Sequence, residues 1–166
     1  MNRKKLSLYL AQGAMIAAAY VALTLVFAPV SFKEIQLRVS EALTVLPVFT
    51  PAAVPGLALG CVLANLISGA ALPDVVFGSL ATLLGAVGTR QLRKKKPVWA
   101  IVPPIVANML IIPFVLRYAY GVELPIPLMM LTVGLGEALS CGVLGLLLHK
   151  ALYTRREKIF RTEEIE

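Results

Sequence analysis

Charged residues are absent from four long stretches of the chain, 6–32, 42–73, 75–89 and 97–116. A fifth stretch, 124–149, holds only Glu137 and His149. An ionised side chain at the centre of a bilayer costs ~2.5–3.5 kcal/mol on insertion scales, so charge-free runs of roughly 20 residues mark membrane-spanning helices. The composition agrees, with 58% hydrophobic and 15% charged residues against about 25% charged in an ordinary soluble domain. Too little polar surface remains to cover a water-soluble fold. The expectation is an all-α integral membrane protein, a single membrane domain over residues 1–166, and a water-soluble enzyme is excluded.

Four spans follow directly from the charge-free runs: 6–28, 75–92, 98–117 and 127–149. The region between the first two needs division. As one helix, 42–72 would run ~46 Å at about 1.5 Å per residue, against a hydrocarbon core of ~30 Å. Pro47, Pro51 and Pro55 would also interrupt its hydrogen-bond ladder. Two helices, 36–50 and 54–72, joined by a turn around Thr50-Pro51, satisfy both constraints. Arg3, Lys4 and Lys5 precede an apolar run of more than about 20 residues, too long for the ~7–15-residue core of a signal peptide. Pro29 also follows Ala28 where a cleavage site would need small residues, so the run is read as a retained first transmembrane helix.

The distribution of basic residues tests this division independently. In a six-transmembrane-helix bundle with both termini cytoplasmic, 13 of the 16 lysines and arginines fall inside, leaving Lys33, Arg38 and Arg117 outside. Five helices would put the Arg90–Lys96 cluster outside, against the positive-inside rule. Trp99, Tyr118 and Tyr120 then lie at headgroup level, where such rings are favoured, and residues 150–166 form a basic cytoplasmic tail. The net charge of +7 is what topology requires of loops facing an anionic leaflet, so no nucleic-acid partner is expected. The expected location is a plasma membrane, crossed several times.

Small residues recur every four positions, which places them on one helix face where backbones approach closely. Gly56, Gly60, Ala64 and Ser68 form one such set; Gly78, Thr82 and Ala86 a second; Gly134, Ala138 and Gly142 a third. Packing within the bundle explains these three. Ala14, Ala18 and Ala22 on the first helix exceed what its own neighbours need, and a partner protein is a candidate for that face.

Few polar groups are available to form a site. Glu137 lies ~15 Å into its helix, and Asn108 sits at similar depth on the adjacent one. An intramembrane acid is a functional-site hypothesis by default; the bland alternative is a protonated Glu137 bonded to backbone or Ser140. Arg38 and Glu41 share a face at the outer end of the second helix, either as a simple surface ion pair or as site residues. Asp74, after Pro73, reads first as an N-cap of the fourth helix. Lys33, Glu34 and Gln36 belong to an external loop that could fold over a pocket as a lid. Asn65 reads as interhelical glue. Cys61 and Cys141, inside apolar runs, read as buried thiols acting as small apolar side chains. A lone histidine, His149, supports no metal site or catalytic triad. No P-loop Gly-Lys pair occurs, so this chain does not bind ATP in that way, and no cofactor is expected.

The run Ile35-Gln-Leu-Arg-Val-Ser-Glu-Ala-Leu-Thr-Val-Leu-Pro47 strongly resembles the QueT family. So do Val54-Pro-Gly-Leu-Ala-Leu-Gly-Cys-Val-Leu-Ala-Asn-Leu66 and Pro73-Asp-Val-Val-Phe-Gly-Ser-Leu-Ala-Thr82. The likeness covers residues 8–150. These are substrate-capturing S components of energy-coupling factor (ECF) transporters. The resemblance implies a bacterial cell-membrane protein that binds a queuosine precursor, a 7-deazaguanine base. It also implies a transmembrane T component and two ATPase subunits as partners, with delivery by toppling of the S component in the membrane. In S components the alanine-rich face of the first helix commonly meets the T component, which makes Ala14, Ala18 and Ala22 the interface candidates.

A guanine-like edge offers adjacent N–H donors that a carboxylate accepts as a pair. The expected binding residues are therefore Glu137 or Glu41 on that edge, with Asn108, Gln36, Arg38 and Asp74 completing the pocket. An S component for another vitamin or heterocycle is the nearest alternative, since the pocket and not the scaffold decides the cargo. An autonomous transporter driven by an ion gradient is a second. A membrane-embedded enzyme fits least, for want of a histidine, cysteine or paired-acid constellation.

Overall fold

A computed structural model describes residues 3–27 and 38–160, and every regular element among them is helical. α1 spans Arg3–Val26. A 3-10 helix follows at Val39–Val48, then α2 at Ala53–Ile67 and α3 at Leu72–Gln91. α4 runs over Pro97–Ala119 and α5 over Ile126–Tyr153. A single turn, α6, closes the series at Arg156–Ile159. Four helices, α1, α3, α4 and α5, are long and apolar enough to cross a membrane; Val39–Val48 and α2 are shorter apolar helices.

The helix expected over 36–50 is corrected to a ten-residue 3-10 helix, with 36 and 37 outside the described residues. Runs of this kind beyond about 3–4 residues are uncommon and mark strained or functional segments. Pro47 lies inside it and supplies no N–H, and every residue from Ser40 to Pro47 is buried. The tighter winding lets ten residues reach ~20 Å rather than ~15 Å. The segment thus threads the bundle as a core element and does not form an outer wall.

α2 ends five residues before the expected position 72. Gly69 adopts φ +70°, the Gly69 N–H donates to Leu66 O (3.2 Å) and the Ala70 N–H to Asn65 O (2.9 Å). This paired closure around a left-handed glycine is the Schellman stop. α3 then begins at Leu72, with Ala71 as its N-cap. Asp74 is therefore not the cap; its own N–H donates to Ala71 O at 2.8 Å, and its side chain is released for other work. In α4 a turn at Ile101 separates Pro97–Ala100 from Val102–Ala119, and Pro103 and Pro104 follow in the first turn, where missing N–H groups cost little.

Close backbone approach explains the small-residue stripe on α2 but not the one on α5, where Ala138 is exposed and Gly142 has only the end of the Ile101 side chain within reach, at 3.8 Å. A Cβ added at Gly56 would lie 2.7 Å from Gly13 O, and one at Gly60 2.8 Å from Tyr20 Cβ, so α2 presses directly on α1. At Gly85 and Gly88 the obstacles are Pro104 Cα (2.7 Å) and Pro103 Cβ (2.5 Å), which joins α3 to α4. Ala14, Ala18 and Ala22 differ: all three are exposed, while Gln12, Ile16, Tyr20 and Thr24 on the other face of α1 are buried.

The bundle is apolar outside and polar inside. Leu59, Leu63, Leu84, Leu131, Leu135 and Leu147 are exposed, while Glu41, Asn65, Thr82, Asn108 and Glu137 are buried. Contiguous exposed apolar surface of this extent suits lipid as the surrounding solvent.

Candidate functional site

Two elements bring acids to the centre of the bundle. Glu41 stands in the first turn of the 3-10 helix and Glu137 on α5; they are 0% and 3% exposed. Immediately after Glu137 the backbone of α5 widens into a π-helical stretch, Ala138–Leu144, a distortion frequent at functional sites. It carries Ser140 and Cys141 inward, and both are buried. One oxygen from each acid and the Cys141 sulfur lie within 4.8 Å of one another. Among the described residues this is the one group of acid, thiol and imidazole donors close enough to hold a cation.

The acids are partnered unequally. Glu41 Oε1 accepts from the Tyr20 hydroxyl on α1 and from Thr82 Oγ1 on α3 at 3.3 Å, while Glu41 Oε2 is buried with no partner. Cys141 Sγ donates to Glu137 Oε2 at 3.1 Å and lies 3.3 Å from Thr44 Oγ1. Ser140 Oγ is also buried and unpartnered, so it does not satisfy Glu137. A carboxylate oxygen left bare inside a protein is expensive. One bare carboxylate oxygen beside a second acid is a receptor for adjacent N–H groups or a cation.

Nearer the end of the bundle formed by the starts of α3 and α5 lies a second cluster. Arg38 Nη2 pairs with Asp74 Oδ2 at 3.3 Å, both side chains almost fully buried. Tyr120 donates to the same oxygen at 3.0 Å while accepting the Ala71 N–H at 3.1 Å. Burial raises the Tyr120 phenol above its ordinary value, so it keeps its proton and remains a donor at neutral pH. Asn65 Nδ2 donates to the Asp74 backbone oxygen at 3.2 Å, which bears out the reading of Asn65 as interhelical glue. The surface ion pair between Arg38 and Glu41 is not the arrangement: both are buried, and Arg38 pairs with Asp74.

Of the six expected binding residues, the structure brings Glu41 to Glu137 and Arg38 to Asp74. Asn108 does not join them through any hydrogen bond; its amide donates to Pro104 O of its own helix at 3.2 Å. Gln36, with Lys33 and Glu34 of the lid reading, lies outside the described residues. Tyr20, Thr82, Cys141 and Tyr120 were not expected in the site. Two of them carried a sequence signal. Gln12, Ile16, Tyr20 and Thr24 repeat every four positions opposite the alanines, and Cys141 follows Glu137 by one helical turn. Cys141 is buried as expected, but it acts as a hydrogen-bond donor and not only as an apolar filler.

A bundle with leucines facing outward and acids buried within has the pattern of a membrane protein. That class is narrowed by comparison: over residues 10–154 the chain matches the QueT transporter family. The chain belongs to that family, which makes it a transporter. No curated protein and no solved structure matches it.

Proposed function

We propose that the chain is the substrate-binding S component of an ECF uptake transporter and that its cargo is a 7-deazaguanine precursor of queuosine. The observation that carries this reading is the buried Glu41–Glu137 pair with Glu41 Oε2 unpartnered. A carboxylate in that condition accepts the paired N–H donors of a guanine-like edge with charge-assisted bonds. Arg38, Asp74 and Tyr120 close the site toward the outer face, and opening of that cluster admits the base. Asn108, which has one amide hydrogen and its carbonyl oxygen left to offer after bonding Pro104, is a secondary pocket residue.

In this reading Val39–Val48 and α2 join the four long helices as a six-helix membrane unit with both termini cytoplasmic. α1 presents Ala14, Ala18 and Ala22 to the T component, and two ATPase subunits supply the energy. α1 is the least buried of the four long helices, as an interface helix should be before its partner arrives. Thermal-shift titration of the detergent-purified protein with a panel of 7-deazaguanine bases, guanine and unrelated vitamins tests the cargo. A bound ligand raises the melting temperature by mass action. The reading expects the 7-deazaguanines alone to do so, and the shift to vanish in both Glu41→Gln and Glu137→Gln. Unchanged affinity in both variants would remove the acid pair from the site. Uptake by vesicles containing this chain alone, driven by an ion gradient, would remove the S-component assignment.

A further inference from the structure

At the end of the bundle opposite Arg38 and Asp74, where the 3-10 helix and α3 finish and α4 begins, there is a cavity of about 760 Å³. Four cations line it, Arg93, Lys95, Lys150 and Arg156, and no acid does so among the described residues. Apart from Thr154, its other walls are apolar or aromatic. Phe49 is 2% exposed and stacks on His149 at 5.0 Å and on Phe160 at 5.5 Å. Tyr153 lies under the Arg156 guanidinium at 4.2 Å from its centroid. Lys95 and Lys150 are exposed at the rim.

Lys95 and Lys150 converge on one hollow, and an anion between them relieves their mutual repulsion. A small inorganic anion calls for a polar cup with several N–H donors, whereas Val48, Pro97, His149 and Tyr153 give this one an apolar and aromatic side. A ligand that is anionic at one end and apolar at the other matches both parts. We propose that the cavity seats the headgroup of an anionic phospholipid, with Lys95 and Lys150 pairing to its phosphate and its glycerol and acyl portion lying along Val48 and Tyr153. Basic pockets between membrane helices on the cytoplasmic side recognise acidic headgroups in this way. The proposal depends on this end lying at a membrane face, but not on the identity of the cargo.

Trp99 is the chain's single tryptophan; it is 58% exposed and stands between the lining residues Pro97 and Ala100. It therefore reports on lipid at the cavity. Full-length protein is reconstituted in phosphatidylcholine vesicles containing equal fractions of either brominated phosphatidylglycerol or brominated phosphatidylcholine, and quenching of Trp99 is compared. Quenching should be several-fold more effective with the acidic lipid. Each of Lys95→Gln and Lys150→Gln should remove about a fivefold share of the preference, and the double variant should quench equally with both lipids. Unaltered quenching by brominated phosphatidylcholine shows that the variants are folded and inserted. Equal quenching in the wild type overturns the proposal, as does a preference that the double variant retains. Loss of the preference on adding millimolar inorganic phosphate at constant ionic strength also overturns it, by assigning the cavity to a small soluble anion. Both leaflets of such vesicles have the same composition, so the result does not depend on orientation. Maleimide labelling of Lys94→Cys in whole cells tests the orientation separately.

Discussion

Tyr20 on α1 donates its phenolic hydrogen bond to Glu41 on the 3-10 helix, 21 positions further along the chain. The ring is 1% exposed and is wedged where α2 offers only Gly60. One turn on, Thr24 Oγ1 donates to Ser40 Oγ at 2.9 Å. The helix with the exposed alanines is thus tied by two polar contacts to the segment that holds a candidate cargo acid.

Tyr20→Phe keeps the ring and removes the donor, leaving Glu41 Oε1 with Thr82 alone. Removing one partner of a buried acceptor costs ~1–3 kcal/mol, and the loss should appear as a lower unfolding midpoint in mixed micelles at unchanged helicity. Cargo affinity should fall as well, since Glu41 loses its orientation. Wild-type stability in the variant would show that the bond contributes nothing.

Glu137→Gln should separate binding from stability. Glu137 is buried with a thiol as its hydrogen-bond donor, a poor exchange for water. The amide avoids that cost while filling the same volume, so the unfolding midpoint should hold or rise. Affinity for the base should drop by at least about tenfold, the equivalent of ~1.4 kcal/mol, because an amide cannot accept two N–H donors as a carboxylate does. A variant that loses stability and affinity together would make Glu137 a structural group.

Asp74→Asn breaks the Arg38 pair and leaves a buried guanidinium facing a neutral amide. Removing one partner of a buried pair costs ~3–5 kcal/mol, so a large fall in the unfolding midpoint is expected. Tyr120→Phe, which removes only the second donor to Asp74, should cost ~1–3 kcal/mol and speed cargo release by opening the outer cluster. Equal effects from the two variants, read by thermal unfolding, would contradict a hierarchy in which the ion pair dominates.

Helix positions were legible because charge exclusion from a bilayer is a strong, long-range constraint: the ranges expected for α1, α3, α4 and α5 fall within a few residues of those found. The 3-10 winding of Val39–Val48 was not, since proline spacing shows where an α-helical ladder fails but not what replaces it. Glu41, Glu137, Arg38 and Asp74 stood out as rare charges in apolar surroundings, yet their pairing was misread. Arg38 and Glu41 are near neighbours in sequence, whereas the Arg38–Asp74 bond joins residues 36 positions apart. Asp74 looked like a helix cap because Pro73 precedes it, and only the start of α3 at Leu72 moves it into the third position. Asn108 shows what depth leaves open: depth in a helix says nothing about direction, and its amide donates to Pro104 O of its own helix.

Glycine contacts supply an internally controlled test of packing. Gly56→Ala drives a methyl to 2.7 Å from the Gly13 carbonyl oxygen, a backbone atom that cannot yield without moving α1. Gly142→Ala meets only the end of the Ile101 side chain at 3.8 Å, an ordinary contact. Overpacking of the first kind costs ~1–3 kcal/mol, so Gly56→Ala should lower the unfolding midpoint clearly. Gly142→Ala should be neutral or slightly stabilising, because alanine favours helix over glycine by ~1 kcal/mol.

Ala18→Trp addresses the exposed face of α1. Position 18 points away from Gln12, Ile16 and Tyr20, so a large ring there meets lipid in the isolated protein and disturbs neither the Tyr20–Glu41 bond nor the contact with α2. Binding of the base by the purified variant should match wild type. If Ala14, Ala18 and Ala22 form a close-packed seam with a T component, the indole holds the two backbones apart, since such seams depend on small side chains. Uptake by vesicles containing the T component, the ATPases and the variant should then fall to background, and co-purification of the subunits should be lost. Normal uptake with Ala18→Trp, together with normal binding, would place the partner interface elsewhere on the bundle. Loss of binding in the isolated variant would instead show that α1 packs against its own chain through this face.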